Sequence, residues 1–181
     1  MLDATNLPIA LENTRLRLLS ELDADAYATG TKDEAVRRFA HLPEPDYTPE
    51  SVRRMICDEV ATGLSSGTLA VLALADAETD QFVGSMVLFD VSSEAAEVGF
   101  WIHPGARGGG HARRGLELAS RFARTSGLRT LTARTLPENK ASQHCLTTAG
   151  FRETGRGVGI TPAGQREELF HYQRDLVTAA Q

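Results

Sequence analysis

The sequence predicts a single α/β domain whose mixed sheet contains one long meander rather than a regular βαβ repeat. The chain has 181 residues, enough for one domain with a hydrophobic core, and we assign 1–181 to that domain. Short apolar or alternating segments, typical of strands, are interspersed with segments that have helical spacing. Three strand-like segments in the middle of the chain follow one another with no helix between them, which predicts the meander.

The N-terminal region predicts one strand and two short helices. Residues 14–19 alternate between apolar and polar side chains, as a half-buried strand does. Asp23 is a suitable N-cap for a first short helix, and Gly30 is suited to end it. A second short helix is predicted over 33–40.

A loop and a longer helix follow. Residues 41–47 contain two prolines and two acidic residues, a composition typical of a loop. Thr48 followed by Pro49 is a strong helix start, because proline is favoured at the first helical position. Apolar residues then recur at helical spacing, and we expect this helix to end near Gly63.

The meander is predicted over residues 68–75, 82–89 and 97–102. The first segment is short and almost wholly apolar, which favours a strand buried on both faces. In the third segment the period of two places Glu97 and Trp101 on the same face.

Two helices and a strand are predicted next. A helix running to about residue 126 carries one apolar stripe, and a strand spans 130–135. A second amphipathic helix spans 139–149 and is closed by Gly150. The apolar positions of the two helices are Ala112, Leu116, Ala119 and Ala123 in the first and Ala141, Cys145, Leu146 and Ala149 in the second.

The chain closes with a predicted hairpin. Its strands are 152–160 and 167–176, with Pro162 and Gly164 in the connecting loop. The predicted order is strand, helices, three strands, helix, strand, helix and two strands. This order favours a mixed sheet of about seven strands.

Composition limits the classes of function. A net charge of −5 and a pI near 5.5 argue against general nucleic-acid binding, which needs a basic surface. Cys57 and Cys145 form no C-x-x-C pair, and no Cys/His cluster predicts a metal site. We see neither a signal peptide nor an apolar segment near the roughly 20 residues of a membrane span. We therefore expect a cytoplasmic protein without nucleic-acid or membrane partners.

A glycine-rich junction is the most informative motif. The run A-R-G-G-G-H-A, residues 106–112, separates the third meander strand from the next helix. Glycines let backbone N–H groups approach a ligand, and a helix N-terminus attracts anions. The run predicts a pyrophosphate site, with Arg107 and either Arg113 or Arg114 supplying positive charge. The alternative is a flexible surface loop. A Rossmann site is disfavoured, because Arg113 stands where G-x-G-x-x-G needs its last glycine.

Three stretches of the chain resemble the GNAT family of N-acetyltransferases, and within it the RimJ/RimL-like branch. They are E-V-G-F-W-I-H-P-G-A-R-G-G-G-H-A, N-K-A-S-Q-H-C-L-T-T-A-G-F and the opening T-R-L-R-L-L-S-E-L-D-A-D-A-Y. The family signature, Arg or Gln, two residues, Gly, one residue, Gly or Ala, is met by Arg107, Gly110 and Ala112. The resemblance covers about residues 14–176. It implies a GNAT-type α/β (α+β) fold, with a mostly antiparallel sheet and helices on both faces.

The resemblance implies an enzyme that uses acetyl-CoA as cosubstrate and no metal. The implied reaction is direct attack of a primary amine, either a protein N-terminus or a small molecule, on the thioester. Homodimers are frequent among similar proteins. The resemblance assigns acetyl-CoA binding to Phe100, Trp101, Ile102, Arg107, Gly108, Gly109, Gly110, His111, Ala112, Arg113, Asn139 and Ser142.

Glu97 and Ser142 are the catalytic candidates. A protonated amine cannot attack, and the pKa of an amine is about 8 at an N-terminus and about 10.4 in lysine, so a proton acceptor is needed. The resemblance places an acid at Glu97 that acts directly or through water; the alternative is a solvated glutamate at a strand edge. Ser142 lies by resemblance near the CoA sulfur, as proton donor or orienting group; the alternative is a serine bonded to its own helix. Leu146 stands where many members have a tyrosine acid, so the proton donor stays open.

Several other positions near the glycine-rich run and the second amphipathic helix have two possible roles each. Asn139 is an N-cap that by resemblance also binds the pantetheine arm. Trp101 either lines an acyl pocket or packs in the core. His103 is a secondary base or, more simply, a cap at the strand end. A backbone N–H within 100–102 would stabilise the oxyanion, since the resemblance implies that this strand splays from its neighbour.

The acceptor is the least defined part of the prediction. Acidic loop residues could face a cationic amine or simply be solvated, and Tyr172 could face the acceptor from the last strand. The acids concerned are Glu44, Asp46, Asp90 and Glu94. Two alternatives to an acetyltransferase stay open: a non-catalytic protein that binds acyl-CoA or sequesters a small molecule, and an enzyme that uses succinyl-CoA.

Overall fold

The computed structural model describes residues 1–161 and 163–176, which contain one open eight-stranded sheet. The strands are β1 (Ile9–Leu11), β2 (Thr14–Leu18), β3 (Ala70–Asp76), β4 (Phe82–Phe89), β5 (Ala95–Ile102), β6 (Thr130–Thr135), β7 (Arg152–Ile160) and β8 (Arg166–Asp175). They lie in the order β1-β2-β3-β4-β5-β6-β8-β7. All neighbours are antiparallel except β5 and β6. The predicted mixed, mostly antiparallel sheet is confirmed.

Helices cover both faces of the sheet. They are α1 (Ala24–Gly30), α2 (Glu34–Phe39), α3 (Pro49–Met55), α4 (Ala61–Ser66), α5 (His111–Thr125) and α6 (Lys140–Thr148). A wider π-helical turn, Ile56–Val60, joins α3 to α4. On one face α5 packs against the central strands, and on the other α1 packs against β4 and α3. Among the described residues, no helix combines the length and the apolar character that crossing a bilayer requires.

Two buried clusters lie on opposite faces of the sheet, and β5 contributes to both. Its alternation sends Val98 into one cluster with Leu116 and Phe122 of α5. The same alternation sends Trp101 into the other cluster, with Tyr27 of α1. The predicted two faces of β5 are therefore confirmed, and the face that carries Trp101 is the one on which a cavity opens.

The helix that begins at Pro49 extends further than predicted. Thr48 caps it through a hydrogen bond from the Ser51 N–H, as the sequence indicated. It continues to Ser66 and ends at Gly67, whose φ of 69° is the left-handed conformation that glycine favours at a helix end. The prediction of an end near Gly63 was wrong. A Cβ at Gly63 would lie 2.5 Å from the Leu69 Cβ, so this glycine serves close packing.

Three smaller predictions also change. The strand β1 was missed, because three residues are too few to show a period. Asp23 stands at the N-cap position of α1 as predicted, but its side chain makes no cap bond there; it ends a 3-10 turn, Glu21–Asp23, and accepts hydrogen bonds from the Ser20 N–H and Oγ. Ala141 is exposed rather than on the inner face of α6. Pro162 of the predicted hairpin loop lies outside the described residues.

The replacement Gly84→Ala is expected to destabilise the fold. A Cβ there would lie 2.4 Å from the backbone carbonyl oxygen of Trp101, which no rotamer change can relieve. We expect a loss of about 1–3 kcal/mol in the free energy of unfolding, measured by urea denaturation. The control is Gly155→Ala in β7, where no atom lies within 4 Å of the added Cβ, and its effect should stay within about 0.5 kcal/mol. Equal midpoints for the two variants would contradict the prediction.

Candidate active site

The glycine-rich run lies between the end of β5 and the start of α5, as predicted. A short 3-10 turn, Pro104–Ala106, leads into it, and the His103 Nδ1 accepts the Gly105 N–H at 3.2 Å. His103 is thus a cap in this structure. Gly108 and Gly110 have φ values of 82° and 76°, which side chains with a Cβ rarely adopt. The first hydrogen bond of α5 runs from the Arg114 N–H to the Gly110 carbonyl, so the three N–H groups before it have no backbone partner within the helix.

Arg114 stabilises this loop through hydrogen bonds. Its guanidinium donates to the Thr14 Oγ1 and to the Glu12 Oε2, both at 3.0 Å, and to the Gly109 carbonyl oxygen. The side chain is buried, so it is committed to the protein. Of the two arginines that the sequence predicts as alternatives for phosphate contact, Arg113 and Arg114, Arg113 is the exposed one.

His111 faces inward rather than into the loop. Its imidazole is buried, with Nδ1 2.9 Å from the Thr14 Oγ1, and burial beside Arg114 lowers its pKa. Only its backbone N–H lies at the helix start. Any contribution of His111 to anion binding is therefore through the main chain.

Arg107 points from the loop toward α2. Its guanidinium is 2.5 Å from the Oδ1 of Asp33, the N-cap of α2, and this contact lowers the pKa of the Asp33 carboxyl. The Arg107 side chain is 44% exposed, so it remains accessible to a ligand on the loop. The ion pair fixes the loop relative to the helix that leads into residues 41–47.

β5 separates from β6 halfway along its length. The two strands pair only from Ala95 to Glu97. The His103 N–H donates to the Val83 carbonyl, so alternation turns the N–H groups of Phe100 and Ile102 toward the gap. The predicted splay is present, and these two amides are the donors available there.

Trp101 has its amide turned toward β4 by the same alternation. Its indole is 7% exposed and packs edge-on to Tyr27, with the ring centroids 5.1 Å apart. Gly30 lies directly against it, since a Cβ there would be 2.5 Å from the indole. Trp101 therefore packs in the core and also lines the floor of the cavity.

Helix α6 begins on the other side of the gap. The Asn139 Oδ1 accepts the Ser142 N–H at 3.1 Å, which confirms Asn139 as the N-cap. Ser142 is half-buried and lines the cavity, and its Oγ is not bonded back to the described part of α6. One of the two readings of Ser142, a serine bonded to its own helix, therefore does not apply. Nearby, burial raises the pKa of the Cys145 thiol.

A cavity of about 580 Å³ opens on this face of the sheet. Glu97 lies in its wall with a side chain only 13% exposed, so it is not a solvated glutamate at a strand edge. Both of its carboxylate oxygens lie 2.9 Å from the Arg134 Nε. Burial raises the pKa of Glu97, and Arg134 opposes that shift.

Acidic side chains line the cavity from the loop before α3 and from the π-helical turn after it. Among the described residues the charged groups lining it are the acids Glu44, Asp46, Asp58, Glu59 and Glu97 and the bases Arg54 and Arg134. Asp46 also pairs with Arg37. Glu94 instead pairs with Arg129 at 3.5 Å, and it does not line the cavity. The excess of carboxylates makes this cavity attractive to a cation.

Tyr172 does not face the cavity. It is 5% exposed and packs in the cluster on the α5 face of the sheet, and burial raises its pKa. The suggestion that it contacts an acceptor was wrong, because its register on β8 turns it to the opposite face.

Among the lining residues that the sequence analysis did not single out are Arg134 and His41. Arg134 carried a usable signal, since it is a charged residue in the alternating strand 130–135. His41 carried none, because it lies in a loop of irregular composition.

Comparison with known proteins identifies the class of protein. The model of the acetyltransferase (GNAT) domain matches residues 13–152. The fold and this match define an N-acetyltransferase. The chain belongs to the GNAT family, and the family predicted from the sequence is confirmed. A search of curated proteins found no match.

Solved structures of acetyltransferases share the fold. A ribosomal-protein-S5-alanine acetyltransferase from Vibrio fischeri is 17% identical with a TM-score of 0.78, over 94% of this chain and 97% of that one. RimJ from Mycobacterium smegmatis, in complex with CoA-disulfide, is 21% identical with a TM-score of 0.76, over 90% and 81%. RimL, a ribosomal L7/L12 acetyltransferase in complex with coenzyme A, is 15% identical with a TM-score of 0.78, over 92% and 96%. At these identities the likeness concerns the fold.

Proposed function

We propose that this protein transfers an acetyl group from acetyl-CoA to a cationic primary amine. The observation that carries the proposal is the meeting of two features at one gap in the sheet. The β5–β6 splay provides unpaired N–H groups from Phe100 and Ile102. Residues 97–101 of β5 line the acidic cavity, and the glycine loop follows the end of the same strand.

The residues of the loop fit a diphosphate. Main-chain N–H groups at the start of α5 suit phosphate oxygens, and Gly108 offers them without a Cβ in the way. Arg107 and Arg113 add positive charge at the surface of the loop. The structures of RimJ and RimL hold CoA-derived ligands, which supports the same ligand for this fold. Acetyl-CoA when bound supplies the thioester that is attacked.

The gap then orients the acyl group. Phe100 and Ile102 present N–H donors along β5, suited first to the pantetheine amides and then to the oxyanion that develops on the thioester carbonyl. Ser142, at the start of α6, offers a hydroxyl near the leaving sulfur. A thiolate is a fairly good leaving group, so this hydroxyl orients or protonates it without being indispensable.

Glu97 acts on the amine. Its carboxylate is largely buried in the cavity wall, beside Gly99, whose missing side chain leaves room next to it. It attracts the ammonium group and accepts a proton from it directly or through water. The acids of the α3 side complement the same positive charge, and the apolar wall suits a hydrophobic body on the acceptor.

Two free cysteines agree with a reducing compartment, so we place the reaction in the cytoplasm. Among the described residues no group of three or more His, Cys, Asp or Glu side chains is arranged to hold a metal. The proposed reaction needs none.

The test is an amine panel. Each reaction contains the protein, either acetyl-CoA or succinyl-CoA, and one amine: phenethylamine, spermidine or a peptide with a free N-terminus. Release of the CoA thiol is measured colorimetrically. We expect release that depends on the amine, with acetyl-CoA the better donor and phenethylamine faster than the neutral control benzyl alcohol. Binding of acetyl-CoA without amine-dependent release would instead identify a non-catalytic acyl-CoA binder.

A further inference from the structure

His41 is an unusual residue in the wall of the cavity. It follows the last turn of α2 with φ at 49°, a left-handed position where a helix end usually has glycine or asparagine. A β-carbon in that region costs backbone energy, which structures tend to accept at functional positions. The backbone conformation therefore does not explain why a histidine occupies this position.

His41 lines the cavity, and its imidazole has a nitrogen that is unpaired within the described part of the chain. Its Nε2 is buried and has no hydrogen-bond partner among the described residues. Buried polar atoms are nearly always paired, so an orphaned one in a cavity wall points to a partner that the cavity receives. The same cavity contains Glu97 and Ser142, at the gap where the thioester is proposed to lie.

The charges around His41 favour its neutral form. Burial lowers its pKa, Arg38 on α2 and Arg134 on β6 act in the same direction, and Glu167 on β8 opposes them. A neutral imidazole has a lone pair ready at neutral pH. Glu97, by contrast, is held in an ion pair with Arg134.

The reaction releases two protons from the acceptor nitrogen, one before attack and one after it. An ammonium group first loses a proton to become a nucleophile. Its nitrogen then attacks the thioester carbon, a C–N bond forms, and the nitrogen becomes positively charged until it loses a second proton. Collapse of the intermediate breaks the C–S bond and releases CoA thiolate. The cavity contains two groups that can accept a proton, Glu97 and His41, and the reaction requires two proton transfers.

We propose that His41 binds the acceptor nitrogen through Nε2 and takes the proton that this nitrogen loses as the amide forms. Glu97 takes the first proton. The imidazolium then passes its proton to the thiolate and Glu97 releases its proton to solvent, which restores both groups for the next turnover. This inference rests on the proposed acetyl transfer to an amine.

The test is His41→Asn, with His41→Gln as a second variant. Asparagine tolerates the left-handed backbone, so His41→Asn should keep the thermal stability and the acetyl-CoA affinity of the wild type. We expect kcat/KM for the amine to fall about 100-fold near pH 7.5, with KM for acetyl-CoA unchanged. The matched control is His144→Gln, which changes an exposed histidine of α6 and should keep full activity.

The pH profile separates a proton acceptor from a merely structural residue. The pKa of His41 is below its ordinary value, so the imidazole is neutral above that pKa and charged below it. The ratio of wild-type to variant rate should therefore be constant above about pH 6.5 and shrink toward one at lower pH. A structural role predicts a ratio that does not change with pH.

The outcomes distinguish this inference from the function on which it rests. The assay uses the fastest acceptor among phenethylamine, spermidine and the free N-terminal peptide. An active wild type with equally active His41 variants, or a rate ratio that is independent of pH, would overturn the role of His41 and leave acetyl transfer standing. A wild type that binds acetyl-CoA but acetylates none of the three amines would overturn both.

Discussion

Reversing the charge of Arg107 is expected to weaken acetyl-CoA binding by at least about 100-fold. Arg107 lies on the glycine loop with 44% of its side chain exposed, a few residues before the start of α5. Arg107→Glu removes a charge-assisted contact with phosphate and places a carboxylate against it. It also places that carboxylate next to Asp33, which now pairs with the arginine. Isothermal calorimetry with acetyl-CoA measures the change.

Two further variants identify the cause. Arg121→Glu changes a residue of α5 that pairs with Glu117 away from the glycine loop; it makes the same change in net charge and should leave affinity within about twofold. Asp33→Asn keeps the N-cap of α2 and releases Arg107, so affinity should be equal or higher. Unchanged affinity in Arg107→Glu would place the diphosphate elsewhere. An equal loss of affinity in Arg121→Glu would mean that the effect comes from net charge acting at long range.

The features predicted correctly from the sequence are those with a local signal. The loop of 106–112 was identified because strand, glycines and helix follow one another directly along the chain. The caps Thr48 and Asn139 were identified for the same reason, since the cap and the N–H that it binds are three residues apart. The predicted helix end at Gly63 was wrong, because that glycine allows close packing against Leu69 rather than forming a turn.

The features that sequence reasoning missed depend on partners distant along the chain. Arg114 resembles an ordinary charged helix residue, and only its contacts with Thr14 and Glu12, about 100 residues away, bury it. The sequence predicts Glu97 as a base or a solvated acid, whereas its pairing with Arg134 arises where β5 and β6 run parallel. His41 is defined by a buried nitrogen in a cavity, which no spacing in the sequence reveals.

Removing the charge of Glu97 is expected to lower kcat/KM for the amine by about 100-fold near neutral pH, with acetyl-CoA affinity unchanged. Glu97→Gln keeps the size of the side chain but can neither accept a proton nor attract the ammonium. The deficit should shrink at high pH, where the amine is already neutral and needs no acceptor. Glu94→Gln is the matched control, since Glu94 precedes the same strand but lies outside the cavity lining. A rate equal to wild type at every pH would exclude Glu97 as the acceptor.

The ion pair allows the same assignment to be tested through Arg134. Glu97 works as a carboxylate, so the rate should fall as pH decreases through its pKa. Arg134 holds that pKa down against burial, so Arg134→Gln should raise it and move the acid limb of the rate to higher pH. Arg134 also lowers the pKa of His41, so Arg134→Gln should raise that pKa as well and shift the acid limb of the rate in the same direction. Combining Arg134→Gln with His41→Asn leaves Glu97 as the remaining proposed titrating group, so an upward shift that persists in the double variant belongs to Glu97. A limb that stays in place would mean that the carboxylate beside Arg134 takes no proton in the reaction.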